Sequence, residues 1–274
     1  MNYVELNIPC NDELADILVA ELADYPFDSF ATDPDILKAY IPQEKMADCY
    51  DRVEGLLARY GVGGHRYIVI EAQNWNALWE SNFPPVEVDE LVAIRAPFHE
   101  PYPHFRFDIV ITPKMSFGTG HHATTYLMSR AVASRDFAGK RVLDMGSGTG
   151  VLAIIAAKCN AESVDAVDID EWAYENCVEN CAENGVAERV TAFLGAVSAI
   201  RGKKYDAILA NINRNILLGD MPHYVEALNE EGELIMSGIL EGDIDTIRAR
   251  AEQLGLTYAG CDLKDGWAAV FTRK

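Results

Sequence analysis

Four groups of residues have types and spacings that could do chemistry. The first is VLDMGSGTG, an apolar run that ends in Asp144 and gives way to Gly146, Gly148 and Gly150. Glycines at the end of a strand let backbone amides approach a ligand closely, and the helix that follows turns its positive end toward an anionic group. Alone the stretch is ambiguous, because Gly148-Thr149-Gly150-Val151-Leu152-Ala153 also satisfies the dinucleotide fingerprint G-x-G-x-x-A. The second group is VDID, which places Asp168 at the end of the next strand, where a carboxylate accepts hydrogen bonds from both hydroxyls of a ribose. Asp170, directly before EWAYENC, reads as a helix cap. The third is ANINRN, where Asn211 ends a later strand at the edge that open α/β sheets use for ligands, and its amide can hold a nucleophile. Asn213 and Asn215 read equally well as a solvent-facing turn.

The fourth group, MSFGTGHHATTYLM over residues 115–128, joins two glycines, two adjacent histidines and three threonines. On a strand His121 and His122 would face opposite sides, and on a helix they would sit about 100° apart, so shape and hydrogen bonding are expected of them before a metal ion. The stretch reads as a loop that opens a helix and delivers hydroxyls and amides to a ligand.

The elements that position these groups follow from the pattern. From Arg141 strand-like and helical stretches alternate, which predicts an α/β, doubly wound, mostly parallel sheet. Two strand-like runs around KDGW end the chain as an antiparallel hairpin. The first seventy-five residues run β-α-β-β-α-β, the order of a small α+β ferredoxin-like domain. Residues 76–90 read as a linker and 91–274 as the second domain, with a short helical turn that carries Trp75 and Trp79 where the first domain passes into the linker. ELVAIRAPF and FRFDIVI are expected to pair as a hairpin leading into the histidine loop.

The 274 residues carry a formal net charge of −20, against the clustered Lys and Arg that nucleic-acid binding draws on. Between Met1 and Tyr60 there are 13 acids and 4 bases, which suits a basic protein partner. The six cysteines form no CxxC pair, so reduced thiols and no metal are expected; Cys177 and Cys181, four apart, lack further ligands nearby. No apolar run is long enough to span a bilayer and the start lacks a signal peptide, so a cytoplasmic protein without membrane contact is expected.

Asp144 before the glycines, Asn211 and the terminal hairpin together look like a class I S-adenosylmethionine-dependent methyltransferase. FGTGHHATT, DMGSGTGVLAIIA, VDID, ENCAENG and ANINRNIL further resemble the PrmA family, which modifies lysines and the N-terminal amine of large-subunit ribosomal protein eleven. The resemblance covers essentially the whole chain. It implies S-adenosylmethionine as cofactor, a basic ribosomal protein as substrate, and an N-terminal domain that recognises it. It carries over Gly146 and Gly148 as cofactor contacts, Asp168 as the ribose ligand and Asn211 as the catalytic residue beside the methyl group. The loop is implied to be a lid over the cofactor, with Phe117, Gly118 and Gly120 closing and Thr125 in contact. The family's Asn-Ile-x-x-Asn-Pro-Leu element stands here as Asn211 to Leu217 with Ile216 in place of the proline. A small-molecule methyltransferase and a dinucleotide-dependent oxidoreductase are the competing readings; an N-terminal docking module counts against the first and Asn211 against the second.

Overall fold

The computed structural model describes residues 2–70, 83–114 and 116–274, and the chain divides into two units, Met1–Asn82 and Phe83–Lys274. Trp75 and Trp79, with the helical turn expected for them, lie outside the described residues.

The first unit runs β1 (Tyr3–Pro9), α1 (Asp12–Leu22), β2 (Ser29–Asp33), β3 (Ile36–Pro42), α2 (Gln43–Arg59) and β4 (Arg66–Ile70). Its antiparallel sheet has the order β2-β3-β1-β4. Alternation places Val4, Leu6 and Ile8 of β1 and Leu37, Ala39 and Ile41 of β3 in one core with Leu18 and Leu22 of α1 and Val53, Leu56 and Leu57 of α2. Asn11 starts α1 by accepting the Leu14 N–H at 3.0 Å.

The second unit opens with a three-stranded sheet, β5 (Val86–Val88), β6 (Val92–Arg95) and β7 (Phe107–Val110). Two expectations are corrected here. Val86–Val88, placed in a linker, is a strand that pairs antiparallel with β6. Strands β6 and β7, expected as a hairpin, run parallel. The segment between them, 96–106, contains Pro97, Pro101 and Pro103 and carries the chain back to the start of β6, as parallel pairing requires. Arg95 Nε and Nη2 grip Asp108 at 2.8 and 2.9 Å across that pair.

The main sheet comprises β8 (Arg141–Met145), β9 (Ser163–Asp168), β10 (Val190–Leu194), β11 (Tyr205–Asn211), β12 (Leu228–Leu240), β13 (Thr257–Lys264) and β14 (Trp267–Arg273). Its order is β10-β9-β8-β11-β12-β14-β13, with β14 antiparallel to both of its neighbours. The terminal hairpin thus inserts its second strand inside the edge, through a turn in which Asp265 and Gly266 both take positive φ, 50° and 77°. Helices α3 (Ala123–Ala133), α4 (Val151–Lys158), α5 (Glu171–Glu183), α6 (Arg214–Ala227) and α7 (Ile244–Gln253) cover the sheet. Helix α4 is buried from Val151 to Ala157, which accounts for its nearly unbroken apolar sequence. The winding direction reverses between β8 and β11, where register brings Asp144 beside Leu209 and Met145 beside Ala210. A doubly wound sheet opens a crevice at that place.

Candidate active site

The glycine loop leaves β8 at this reversal. Gly146 and Gly148 take φ of 74° and 54°, and a Cβ at either would meet Ile212 Cγ2 at 2.3 Å or the Phe117 carbonyl oxygen at 2.2 Å. Both positions therefore require glycine. Helix α4 begins at Gly150, which has no side chain to cap it. Asp144, fully buried, takes that role by accepting the Ala153 N–H on Oδ2 at 3.0 Å. Its Oδ1 has no partner, and burial pushes the carboxyl up to about 7.

Asp168 ends β9 with its carboxylate facing the loop: Oδ2 accepts the Gly148 N–H at 2.8 Å and Oδ1 the Asp170 N–H at 3.0 Å. Each oxygen keeps lone-pair capacity for a ligand hydroxyl. Asp170 caps α5 by accepting the Ala173 N–H at 3.1 Å, as its position before the helix predicts. Asn213 is likewise a cap and not a site residue; it accepts the Ile216 N–H at 3.1 Å, a donor that a proline at 216 would lack. Asn211 ends β11, and its Oδ1 is buried without a partner.

A cavity of about 500 Å³ joins these groups, lined by Phe117, Gly146, Gly148, Asp168 and Asn211 together with Asp220 and apolar side chains. Of the residues expected to form the site, these five therefore meet in its wall, together with the helix cap Asp170. Gly118 and Thr125 do not line it. Gly118 lies behind the loop, its carbonyl accepting the Thr149 hydroxyl at 2.7 Å, and Thr125 is buried in the first turn of α3 with Oγ1 unpartnered.

The histidine loop is tied down. Phe117 O accepts the Thr149 N–H at 2.9 Å, so the loop rests on the glycine turn. His121 Nε2 lies 2.9 Å from the Pro84 carbonyl and Nδ1 3.2 Å from the Thr119 hydroxyl; since a carbonyl only accepts, Nε2 donates. His122 turns the other way and caps α3, Nδ1 accepting the Thr124 N–H at 3.3 Å. Among the described residues no three His, Cys, Asp or Glu side chains gather as a metal site would require, and Cys177 and Cys181 lie buried with sulfurs 4.0 Å apart.

Three residues that positional reasoning missed hold the approach to this loop. Asn176, Asn180 and Asn184 repeat at four-residue intervals along α5 and its C-cap. Asn184 exchanges hydrogen bonds with the backbone of Val110, accepting its N–H at 3.0 Å and donating to its O at 2.6 Å. Asn180 accepts the Thr112 N–H at 3.0 Å and donates to Thr149 O at 2.9 Å. Asn176 accepts the Ser116 hydroxyl at 2.6 Å. The ladder ties Val110, Thr112 and Ser116 to α5 and, through Asn180, to the glycine turn. Its signal was the i, i+4 repeat of Asn in ENCVENCAEN, amides on a helix face that carries Cys177 and Cys181 into the core.

A cavity at the switch point, walled by positive-φ glycines, a carboxylate and an unpartnered amide oxygen, suits an adenosine-bearing cofactor beside a nucleophile. Comparison with known proteins gives the same direction. Residues 3–274 match the family described as "Ribosomal protein L11 methyltransferase (PrmA)". Proteins called ribosomal protein L11 methyltransferase are similar over most of the length. The one from Phocaeicola vulgatus is 38% identical, covering 98% of both chains, and that of Porphyromonas gingivalis is 41% identical, covering 93% of this chain and 89% of the other. A crystal structure of ribosomal protein L11 methylase from Lactobacillus delbrueckii subsp. bulgaricus superposes with a TM-score of 0.64 at 28% identity, over 69% of this chain and 98% of that one. The doubly wound sheet with β14 inserted antiparallel is a methyltransferase fold, and this chain belongs to the ribosomal protein L11 methyltransferase (PrmA) family.

Proposed function

We propose that this protein transfers methyl groups from S-adenosylmethionine to lysine side-chain and N-terminal amines of ribosomal protein L11, with residues 1–82 docking the substrate and 83–274 doing the chemistry. The observation that carries the reading is Asn211. Its Oδ1 is buried, unpartnered and set in the same cavity wall as Asp168 and the glycine loop. A buried acceptor without a donor costs about 1–3 kcal/mol, a cost that a bound amine N–H removes.

S-adenosylmethionine supplies an electrophilic methyl group on a sulfonium when bound. Asp168 accepts from its ribose hydroxyls, and Gly146 and Gly148 let the loop backbone close on it. Phe117 and Gly118 belong to the lid; Thr125, buried at the start of α3, does not line the cavity and is given no contact with the cofactor. A lysine amine with a pKa of about 10.4 is protonated at neutral pH. Entry into a largely apolar cavity lowers that pKa, and the Asn211 carbonyl oxygen orients the neutral amine. Positioning then does the work without a dedicated strong base. A ribosomal substrate places the reaction in the cytoplasm, and the charge of −20 favours a basic protein over nucleic acid.

The test is incubation with purified ribosomal protein L11 and isotopically labelled S-adenosylmethionine, read by mass spectrometry of the protein. Labelled methyl groups on lysine or the N-terminal amine are expected. Absence of label with L11, or tight binding of NAD by calorimetry, overturns the reading.

A further inference from the structure

Large exposed apolar side chains and three carboxylates share the wall of the cavity. Phe117, Ile169 and Ile216 belong to the wall and are 56%, 73% and 45% exposed. Trp172, in the first turn of α5 between the lining residues Asp170 and Ala173, is 66% exposed. Scattered single apolar side chains on a surface need no explanation, but large ones gathered around one opening mark a contact site. The same wall carries the carboxylates of Asp168, Asp170 and Asp220, of which Asp170 is exposed, and among the described residues no Lys, Arg or His lines it.

These residues come from separate elements: the lid, the ends of β9 and β11, and the starts of α5 and α6. Asp168 is engaged by two backbone N–H groups and Asp170 by one, so both are fixed. Ile216 stands one turn before Asp220 on the same face of α6.

We infer that the opening selects amines presented between bulky apolar residues: the amine enters toward Asn211 while its aliphatic or aromatic neighbours pack on Phe117, Trp172 and Ile216. This rests on the methyltransferase reading and names the class of sequence that it acts on. Ile169, beside the ribose ligand Asp168, is left to the cofactor. Burying one large apolar side chain is worth about 1.5–3 kcal/mol, which corresponds to a discrimination of about tenfold or more.

The experiment compares two peptides of equal length and net charge, each with one lysine, flanked by Phe and Val in one and by Ser and Asn in the other. The value of kcat/KM is measured for the full-length enzyme at saturating S-adenosylmethionine, with methylation of ribosomal protein L11 run in parallel. A preference of about tenfold or more for the apolar flanks is expected, falling toward unity in Ile216→Ser and in Trp172→Ser. Trp172 is exposed, so its replacement leaves the core intact. Because the readout is a ratio between peptides, a general loss of rate does not imitate it. Equal kcat/KM on the two peptides, a preference that survives both substitutions, or turnover of neither peptide by enzyme that methylates L11 overturns the inference. Failure to methylate L11 itself overturns the functional reading instead.

Discussion

Asp144 joins the site to the stability of the fold. Its Oδ2 caps α4 and its Oδ1 is buried without a donor, so desolvation holds the group well above the ordinary 3.8, at about 7. Between those two values the unfolded chain releases the proton while the folded chain keeps it. Stability therefore falls as pH rises from about 4 to about 7 and is level above, the reverse of a salt-bridged carboxylate. Chemical denaturation across that range should show this slope in the wild type and lose it in Asp144→Asn; an unchanged slope would mean that the carboxyl is ionised throughout. Asp168 uses both of its oxygens in the fold, holding Gly148 N–H and Asp170 N–H. Asp168→Ala removes the ribose acceptor and also leaves the Gly148 amide unpaired. A loss of about 1–3 kcal/mol in S-adenosylmethionine binding is expected by calorimetry, together with a lower melting temperature. Unchanged affinity would move the ribose contact elsewhere. The place of both acids at strand ends was readable; the cap that Asp144 supplies and the double anchoring of Asp168 were not, because they depend on how the glycine turn lies against β9 and α4.

At the scale of elements the loop proposed as a lid rests on the glycine turn through backbone atoms of Phe117 and Gly118. A Cβ at Gly148 would come within 2.2 Å of Phe117 O, the atom that accepts the Thr149 N–H, so Gly148→Ala must push the lid off the glycine turn. Asn180→Ala acts from the other side by leaving Thr112 N–H and Thr149 O without their partner. The glycine change should raise KM for S-adenosylmethionine and lower kcat together, whereas the asparagine change should loosen residues 110–118 with faster amide hydrogen exchange there. Exchange at the wild-type rate would show that the ladder does not hold the loop. The alternating strands and helices after Arg141 and the inserted terminal hairpin were legible because each element declares its period and its turn. The parallel pairing of β6 with β7 was not. Two short apolar runs look alike in either direction, and only the course of 96–106 decides between them. The asparagine ladder escaped for a related reason: amides at helical spacing look like a solvated stripe until the strand that they bind is in place.

For the whole molecule, the division of labour proposed for the two units requires a first unit with a core of its own, and it has one, with Leu6, Ile8, Leu37 and Ile41 packed against Leu18, Val53 and Leu57. Its surplus of acids suits a basic substrate, while the cavity and everything that holds the lid belong to the second unit. The place at which the chain is cut then matters. Pro84 O binds His121 Nε2, and a Cβ on Gly120 would lie 3.0 Å from Ile94 Cδ1 and 3.3 Å from Val86 Cβ, so the lid packs on β5 and β6. A chain that begins at Phe83 keeps all of these contacts. One that begins at Glu90, as a linker over 76–90 would suggest, loses β5 with its pairs Val86–Ile94 and Val88–Val92 and leaves His121 without Pro84. The longer chain should bind S-adenosylmethionine with the affinity of the full protein and fail to methylate ribosomal protein L11. The shorter one should bind the cofactor more weakly as well, with a lower melting temperature. Calorimetry and mass spectrometry on the three proteins separate the cases. Methylation of L11 by the chain from Phe83 at the full rate would remove docking from the first unit, and equal cofactor affinity in the two truncated chains would show that β5 does not support the lid.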